Sequence, residues 1–147
     1  MGSTYHSLRY HMVFSTKNRH PLIRPEWRER LHAYLGGIIR NQGRVAEAVG
    51  GVEDHVHLLI GLKTTHTVAA LMRDLKKDSS TWVAENFERA FAWQEGYAVF
   101  SVSAGHAEAV RGYITRQEEH HRKISYLDEM RLLLEKNWVK FDPQYFP

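Results

Sequence analysis

The chain has 147 residues, no cysteine and a formal net charge of +3, with 43% hydrophobic and 25% charged residues. This length fits one domain with a hydrophobic core, the missing cysteines exclude thiolate metal sites, disulfides and cysteine nucleophiles, and the small positive charge permits an anionic partner without demonstrating one. Because the longest apolar run is far below the roughly 18 residues of a membrane span, and the N-terminus has no basic segment followed by an apolar stretch, we expect a cytoplasmic protein rather than a membrane protein.

Hydrophobic periodicity predicts six elements in the first two thirds of the chain. The first strand alternates, with Leu8, Tyr10, Met12 and Phe14 on one face and Arg9, His11, Val13 and Ser15 on the other. In chain order we predict a strand over 7–16, a helix over 26–43 after Pro25, a hairpin of two strands over 44–52 and 55–62, a helix over 67–87 and a strand over 96–103.

The order strand, helix, strand, strand, helix, strand is the ferredoxin-like plan, also used by RNA-recognition domains, and belongs to the α+β class. It predicts an antiparallel sheet with both helices on one face and the other face open. Two further helical stretches follow, over 106–123 and 125–137. We predict a single domain over 1–147, with a core of about 5–123 and a helical extension of about 125–147.

Leu127, Met130 and Leu134 form an apolar stripe on the last predicted helix. An amphipathic helix buries such a stripe, either on its own domain or on a partner subunit. The sequence leaves both possibilities open.

The stretch EDHVHLLIG (53–61) places two histidines in the third predicted strand. Because side chains alternate along a strand, the aliphatic residues face the helices while His55 and His57 stand together on the open face. Their α-carbons would lie ~6.6 Å apart, so that both imidazoles can reach one metal ion. Simple polar alternation on a solvated face explains the pair equally well. Arg9 and His11 of the first strand would share this face.

The predicted helix over 106–123 is the candidate to cover the open face. Tyr113 and Gln117 are four residues apart and share a helix face, with His120 close to the same line. Two imidazoles and an amide oxygen can hold a divalent ion, and a tyrosine hydroxyl is then a suitable nucleophile for phosphoryl transfer. Alternatively, the tyrosine packs in an amphipathic helix and the glutamine is solvated. Asp54 could orient the neighbouring imidazole or could serve only as a hairpin-turn residue.

DHVHLLI (54–60) and YITRQ (113–117), on a ferredoxin-like plan of this length, resemble the single-tyrosine HUH transposases of bacterial insertion sequences, the IS200-like family, and their relatives associated with repetitive extragenic palindromes (REPs). HUH denotes histidine, hydrophobic residue, histidine, which here are His55, Val56 and His57. YHMVFSTKNRHPL resembles the family's first strand and the basic loop after it, and WQEGYAVFSVS its last strand. The resemblance therefore covers nearly the whole chain.

The resemblance implies a DNA transposase that cleaves and rejoins single-stranded DNA at hairpin-marked ends through a covalent 5′-phosphotyrosine intermediate. Tyr113 would be the nucleophile, and His55, His57 and Gln117 would bind Mg²⁺ or Mn²⁺. Family members act as homodimers, in many of which the tyrosine helix completes the partner's site. Imidazole ligands generally suit zinc, copper, nickel or iron better than magnesium, so manganese is the reasonable compromise.

Basic residues on several predicted elements are candidates for DNA contacts, because lysine and arginine neutralise phosphates. Any one of them could equally be a solvated surface charge. The candidates are Arg9, His11, Lys17, Arg19, Arg73, Lys76, Lys77, Arg111, Arg116, Arg122 and Lys123.

Three other functions are alternatives to a transposase. An open sheet on this plan could bind single-stranded nucleic acid without catalysis, although the first strand lacks the aromatic-rich pattern of RNA-recognition domains. A zinc hydrolase would need further histidine or aspartate ligands at set spacing, which HVHLLIG does not supply. A domesticated nuclease that processes REPs is the alternative within the resembled family.

Overall fold

The computed structural model describes residues 2–146, and within them four antiparallel strands form one sheet in the order β2-β3-β1-β4. The helices α1 and α2 connect strands, whereas α3, α4 and α5 follow the last strand. The elements are β1 (Arg9–Ser15), α1 (Pro25–Asn41), β2 (Val45–Gly51), β3 (His55–Gly61), α2 (Val68–Asn86), β4 (Ala98–Val102), α3 (Ala107–Thr115), α4 (Gln117–His120) and α5 (Tyr126–Lys136). The predicted ferredoxin-like α+β plan is confirmed.

Local sequence signals set the starts of the helices. Pro25 occupies the first position of α1, where its missing N–H costs no hydrogen bond. The side chains of Thr67 and Ser125 cap α2 and α5 by accepting hydrogen bonds from backbone N–H groups of the first turn. Among the described helices, none is long and apolar enough to cross a membrane.

Alternation along the central strands gives the sheet two faces, and helices cover both. On one face, Met12 and Leu58 pack with the apolar sides of α1 and α2. On the other, Val13 and Phe100 pack against α5, and Leu59 packs against α3. The face that the six-element plan leaves open is therefore buried beneath the C-terminal helices.

The C-terminal helix α5 packs on the sheet of its own chain. Tyr126, Met130 and Leu134, spaced four residues apart, are buried there, whereas Leu127 is 40% exposed. The predicted stripe was therefore wrong at Leu127, because the buried line begins one residue earlier, at the tyrosine.

The helix predicted over 106–123 is divided. The α3 helix ends at Thr115, and Arg116, with φ −103° and ψ 25°, separates it from α4. The division arises because the Arg116 N–H tightens the last turn of α3, donating to the carbonyls of Gly112 and Tyr113 at 3.2 and 3.3 Å. Tyr113 and Gln117 still reach the same side of the sheet.

The tyrosine helix is seated on β2 by a close approach at Gly50. A β-carbon at this position would lie 2.2 Å from the carbonyl oxygen of Ile114. Because backbone cannot yield to such a clash, only glycine lets α3 lie this close to the sheet. Gly37 of α1 has room for a side chain, since a β-carbon there would meet nothing within 4 Å.

We expect Gly50→Ala to displace α3 and to lower the free energy of unfolding by about 2 kcal/mol, as overpacked positions do. Thermal denaturation should show a melting temperature lower by roughly 5 °C. The matched control Gly37→Ala should stabilise the protein by about 1 kcal/mol, because alanine loses less backbone entropy in a helix. A Gly50→Ala variant that melts like the wild type would contradict the close packing of α3.

Candidate metal centre and nucleophile

Four side chains, three of them buried and the fourth, His121, partly exposed, converge behind the tyrosine helix. His55 and His57 project from β3 on the face opposite the aliphatic core, and both are fully buried. His121, in the turn after α4, and Glu129, on α5, meet them there. Their ligand atoms all lie within 4.8 Å of one another. Three separate segments of the chain thus supply one compact donor set.

One oxygen of Glu129 lies at the centre of this cluster. Its Oε1 is 2.9 Å from Nε2 of His57, 3.1 Å from Nε2 of His121 and 3.2 Å from Nε2 of His55. The side-chain oxygen of Gln117 lies alongside, 2.9 Å from Nε2 of His121 and 3.2 Å from Nε2 of His55. Three imidazole nitrogens, a carboxylate and an amide oxygen therefore face one another.

Each imidazole is held from behind through its other ring nitrogen. These contacts are His55 Nδ1 to Asp54 Oδ1 at 2.7 Å, His57 Nδ1 to His11 Nε2 at 2.8 Å and His121 Nδ1 to the carbonyl oxygen of Ile124 at 2.8 Å. Metal-binding histidines are oriented in this way, because the rear hydrogen bond fixes the ring and its tautomer. The residues present therefore fit a divalent metal ion.

Tyr113 lies next to the cluster of its own chain. Its hydroxyl donates a hydrogen bond to Glu129 Oε2 and lies 3.4 Å from Nε2 of His120, and its ring centroid is 5.6 Å from that of His57. His120 Nε2 is also 3.2 Å from Glu129 Oε2. The carboxylate of Glu129 thus contacts the donor cluster with one oxygen and the tyrosine with the other.

Burial and hydrogen bonding shift the protonation of the cluster. Burial lowers the pKa of His55, but its hydrogen bonds to Asp54 and Glu129 prevail and raise that pKa to about 9. Burial lowers the pKa of His57 to about 4 and, together with the charge of His57, lowers the pKa of His11 to about 3. At neutral pH, His55 is therefore the imidazolium that balances the buried carboxylate.

The pKa values of Glu129 and Tyr113 shift in opposite directions. Burial alone would raise the pKa of Glu129, but the hydrogen bonds from His121, His55 and His57 hold it well below its usual range. Burial, reinforced by the Glu129 charge, raises the pKa of the Tyr113 hydroxyl. The tyrosine is thus a neutral hydrogen-bond donor to an ionised carboxylate.

The structure brings six residues that the sequence singled out to one place: His55, His57, Gln117, Tyr113, Asp54 and His120. Sequence reasoning missed His121 and Glu129. The second histidine of the His120–His121 pair was a visible signal. No sequence signal marked Glu129, because nothing distinguishes it from Asp128 and Glu135, which are acidic residues of the same helix.

The candidate DNA contacts are dispersed. His11 is 5% exposed and supports His57 from behind, Arg9 pairs with Glu47 at 3.1 Å, and Lys76 donates to the carbonyls of Gln94 and Gly96. Lys17 and Arg19 form a short 3₁₀ helix after β1. Arg73, Lys76 and Lys77 lie on α2, on the opposite face of the sheet from Tyr113, whereas Arg111, Arg116, Arg122 and Lys123 are exposed on the segments around the tyrosine.

The antiparallel sheet carries the H-x-H pair of β3 beneath the tyrosine-bearing helix α3. The family described as "Transposase IS200 like" matches residues 4–117. The chain belongs to this IS200-like transposase family.

Individual proteins that are similar to this chain are also transposases. The chain is 25% identical over 121 residues to the ISDra2 transposase TnpA of Deinococcus radiodurans, covering 78% of this chain and 86% of the relative. A crystal structure of a transposase from D. radiodurans R1 superposes with a TM-score of 0.65 at 27% identity, over 78% of this chain and 94% of that one.

A further structural match extends over the C-terminal helices. The REP-associated tyrosine transposase bound to a REP hairpin superposes with a TM-score of 0.63 at 12% identity, over 100% of this chain and 90% of that one. At this identity the likeness concerns the fold alone. His121 and Glu129 lie beyond the residues that the family description matches, within the part of the fold that this structure shares.

Asp54→Ala should weaken Mn²⁺ binding roughly 10- to 100-fold, because His55 would lose the hydrogen bond that orients it. Isothermal titration calorimetry of the metal-free protein measures this directly. Glu53→Ala is the matched control, because Glu53 is exposed and its substitution removes the same negative charge next to Asp54. Equal Mn²⁺ affinity in the two variants would contradict the orienting role of the Asp54–His55 hydrogen bond.

Proposed function

We propose that this protein is a metal-dependent DNA strand transferase that cleaves and rejoins single-stranded DNA through a covalent 5′-phosphotyrosine at Tyr113. One observation carries the proposal: the Tyr113 hydroxyl lies beside a buried cluster of three imidazoles, an amide and a carboxylate in the same chain. Membership of a transposase family supports DNA as the substrate.

A divalent ion, for which we propose Mn²⁺ rather than Mg²⁺, would be held by His55, His57 and Gln117, with His121 and Glu129 as further donors. Bound there, it would neutralise charge on a scissile phosphate. A donor set with three imidazoles suits manganese better than magnesium, which prefers oxygen ligands and geometry close to octahedral.

The chain's own residues place the nucleophile. Glu129 accepts the hydroxyl hydrogen bond of Tyr113 and so holds the phenol oxygen beside the cluster. In the proposed step this oxygen bonds to the phosphorus, the bond from phosphorus to the 3′-oxygen breaks, and the phenol proton is transferred, in net, to that 3′-oxygen. The phosphotyrosine ester keeps the energy of the broken bond for the later joining step.

Hairpin-marked single-stranded DNA is the proposed substrate. The structural neighbour that spans this whole chain is bound to a REP hairpin, and exposed cations such as Arg116 and Lys123 line the surface next to Tyr113. A noncatalytic module that binds bases on the open sheet is disfavoured, because His55 and His57 on that face are fully buried.

We propose that residues 1–147 act as one domain, since α5 packs on the sheet and carries Glu129 into the cluster. We also propose that the protein forms a homodimer, as its family resemblance implies. Because Tyr113 already contacts the cluster of its own chain, such a dimer would not need to exchange α3 between subunits.

Tyr113→Phe should abolish the covalent protein–DNA adduct. The assay incubates the protein with Mn²⁺ and hairpin DNA bearing a single-stranded flank, and detects the adduct by denaturing electrophoresis. Tyr126→Phe is the control, because this second tyrosine also lies near the cluster, with its ring centroid 4.5 Å from that of His55, and should leave the adduct intact. An adduct that survives Tyr113→Phe would exclude Tyr113 as nucleophile, and a wild type that forms none with any hairpin would favour the binding module.

A further inference from the structure

Two adjoining cavities lie between α3 and α5, and a third adjoins the first of them at Tyr113. The largest, about 450 Å³, lies between the two helices with Tyr113 and Glu129 in its wall. A second, about 360 Å³, shares Lys136 with it and continues to Phe100 of β4. A third, about 300 Å³, shares Tyr113 and extends to Lys123. Because they share walls, we treat them as one channel, the α3–α5 groove.

The middle of the α3–α5 groove is apolar. Ala109 and Val110 of α3 face Leu132 and Leu133 of α5 across it. Leu132 is 55% exposed although it is a large hydrophobic residue. Aliphatic side chains such as leucine pack against unstacked bases in nucleic-acid-binding proteins.

Cations stand at both ends of the groove. Arg116 and Lys123 lie at one end, where Glu119 also lines the wall, and Lys136 lies at the other end, with Tyr113 between them. Glu129 is the acidic residue lining the largest cavity, and its carboxylate is already engaged by the imidazoles and by Tyr113. The groove therefore offers a phosphate backbone positive charge on each side of the nucleophile.

We infer that the α3–α5 groove carries the single DNA strand across Tyr113, with an unpaired base between Val110 and Leu132 and flanking phosphates at Arg116 and Lys136. The inference rests on the proposed function and adds the path of the substrate to it. The groove needs α5 as its second wall, and α5 lies beyond the residues that the family description matches. Lys136 and Leu132 were not among the residues that the sequence suggested for DNA contact.

Binding of a fluorescein-labelled single strand with a hairpin, followed by fluorescence anisotropy in EDTA, separates this path from the α2 surface. Lys136→Ala and Arg116→Ala should each weaken binding roughly three- to tenfold and reduce the salt-dependence slope by about 0.7, as the loss of one phosphate contact does. Arg73→Ala and Lys77→Ala are the matched controls, because these exposed cations lie on the opposite face of the sheet. They should leave both quantities unchanged.

Leu132→Glu tests the apolar wall. The substitution should weaken binding about tenfold, by removing a surface for an unpaired base and adding a negative charge. Since the side chain is largely exposed, the melting temperature should stay at the wild-type value, which separates lost contact from lost fold.

Two results would overturn the path. Loss of affinity in Arg73→Ala and Lys77→Ala, with none in Lys136→Ala and Arg116→Ala, would place the strand on α2. If Leu132→Glu binds the strand with wild-type affinity, no unpaired base packs against this wall of the groove. An adduct still formed at Tyr113 in either case would leave the proposed function standing, whereas its absence in the wild type would defeat that function independently.

Discussion

The site depends on one buried carboxylate, that of Glu129. An ionised carboxylate at 2% exposure is stable only if hydrogen bonds replace its lost water, and those from His55, His57, His121 and Tyr113 do so. Removing one partner of a buried ion pair leaves the other charge unpaired and costs about 3–5 kcal/mol. The same contacts therefore hold the imidazoles together, fix the tyrosine beside them and bind α5 to the sheet.

This arrangement places part of the C-terminal extension in the candidate metal site as well as in the core. The family description ends at residue 117, after Tyr113 and Gln117 but before His121 and Glu129. The extension buries Met130 and Leu134 against the sheet, and that packing delivers the carboxylate to the histidines. The packing of α5 and the geometry of the candidate metal site are thus coupled, because the same helix carries Met130, Leu134 and Glu129.

Much of this could be predicted from the sequence because it depends on local periodicity. The two-residue period of β3 separates His55 and His57 from the aliphatic core, and four-residue spacing brings Tyr113 and Gln117 to one side. Glu129 and His121 could not be predicted in the same way, because their place depends on the turn over 121–125 and on how α5 docks. The pattern of α5 does not distinguish the buried Glu129 from the exposed Asp128 and Glu135. The sequence did indicate the tyrosine helix as a cover for the open sheet face, but it left the packing of α5, which covers the same face, undecided.

In the function we propose, the phenol oxygen of Tyr113 receives the DNA strand. Peptide mapping of the trapped protein–DNA adduct by tandem mass spectrometry tests it most directly, because it locates the nucleotide on one side chain. We expect a nucleotide phosphate on the peptide that contains Tyr113. A nucleotide on Tyr126, or on any other residue, would contradict it.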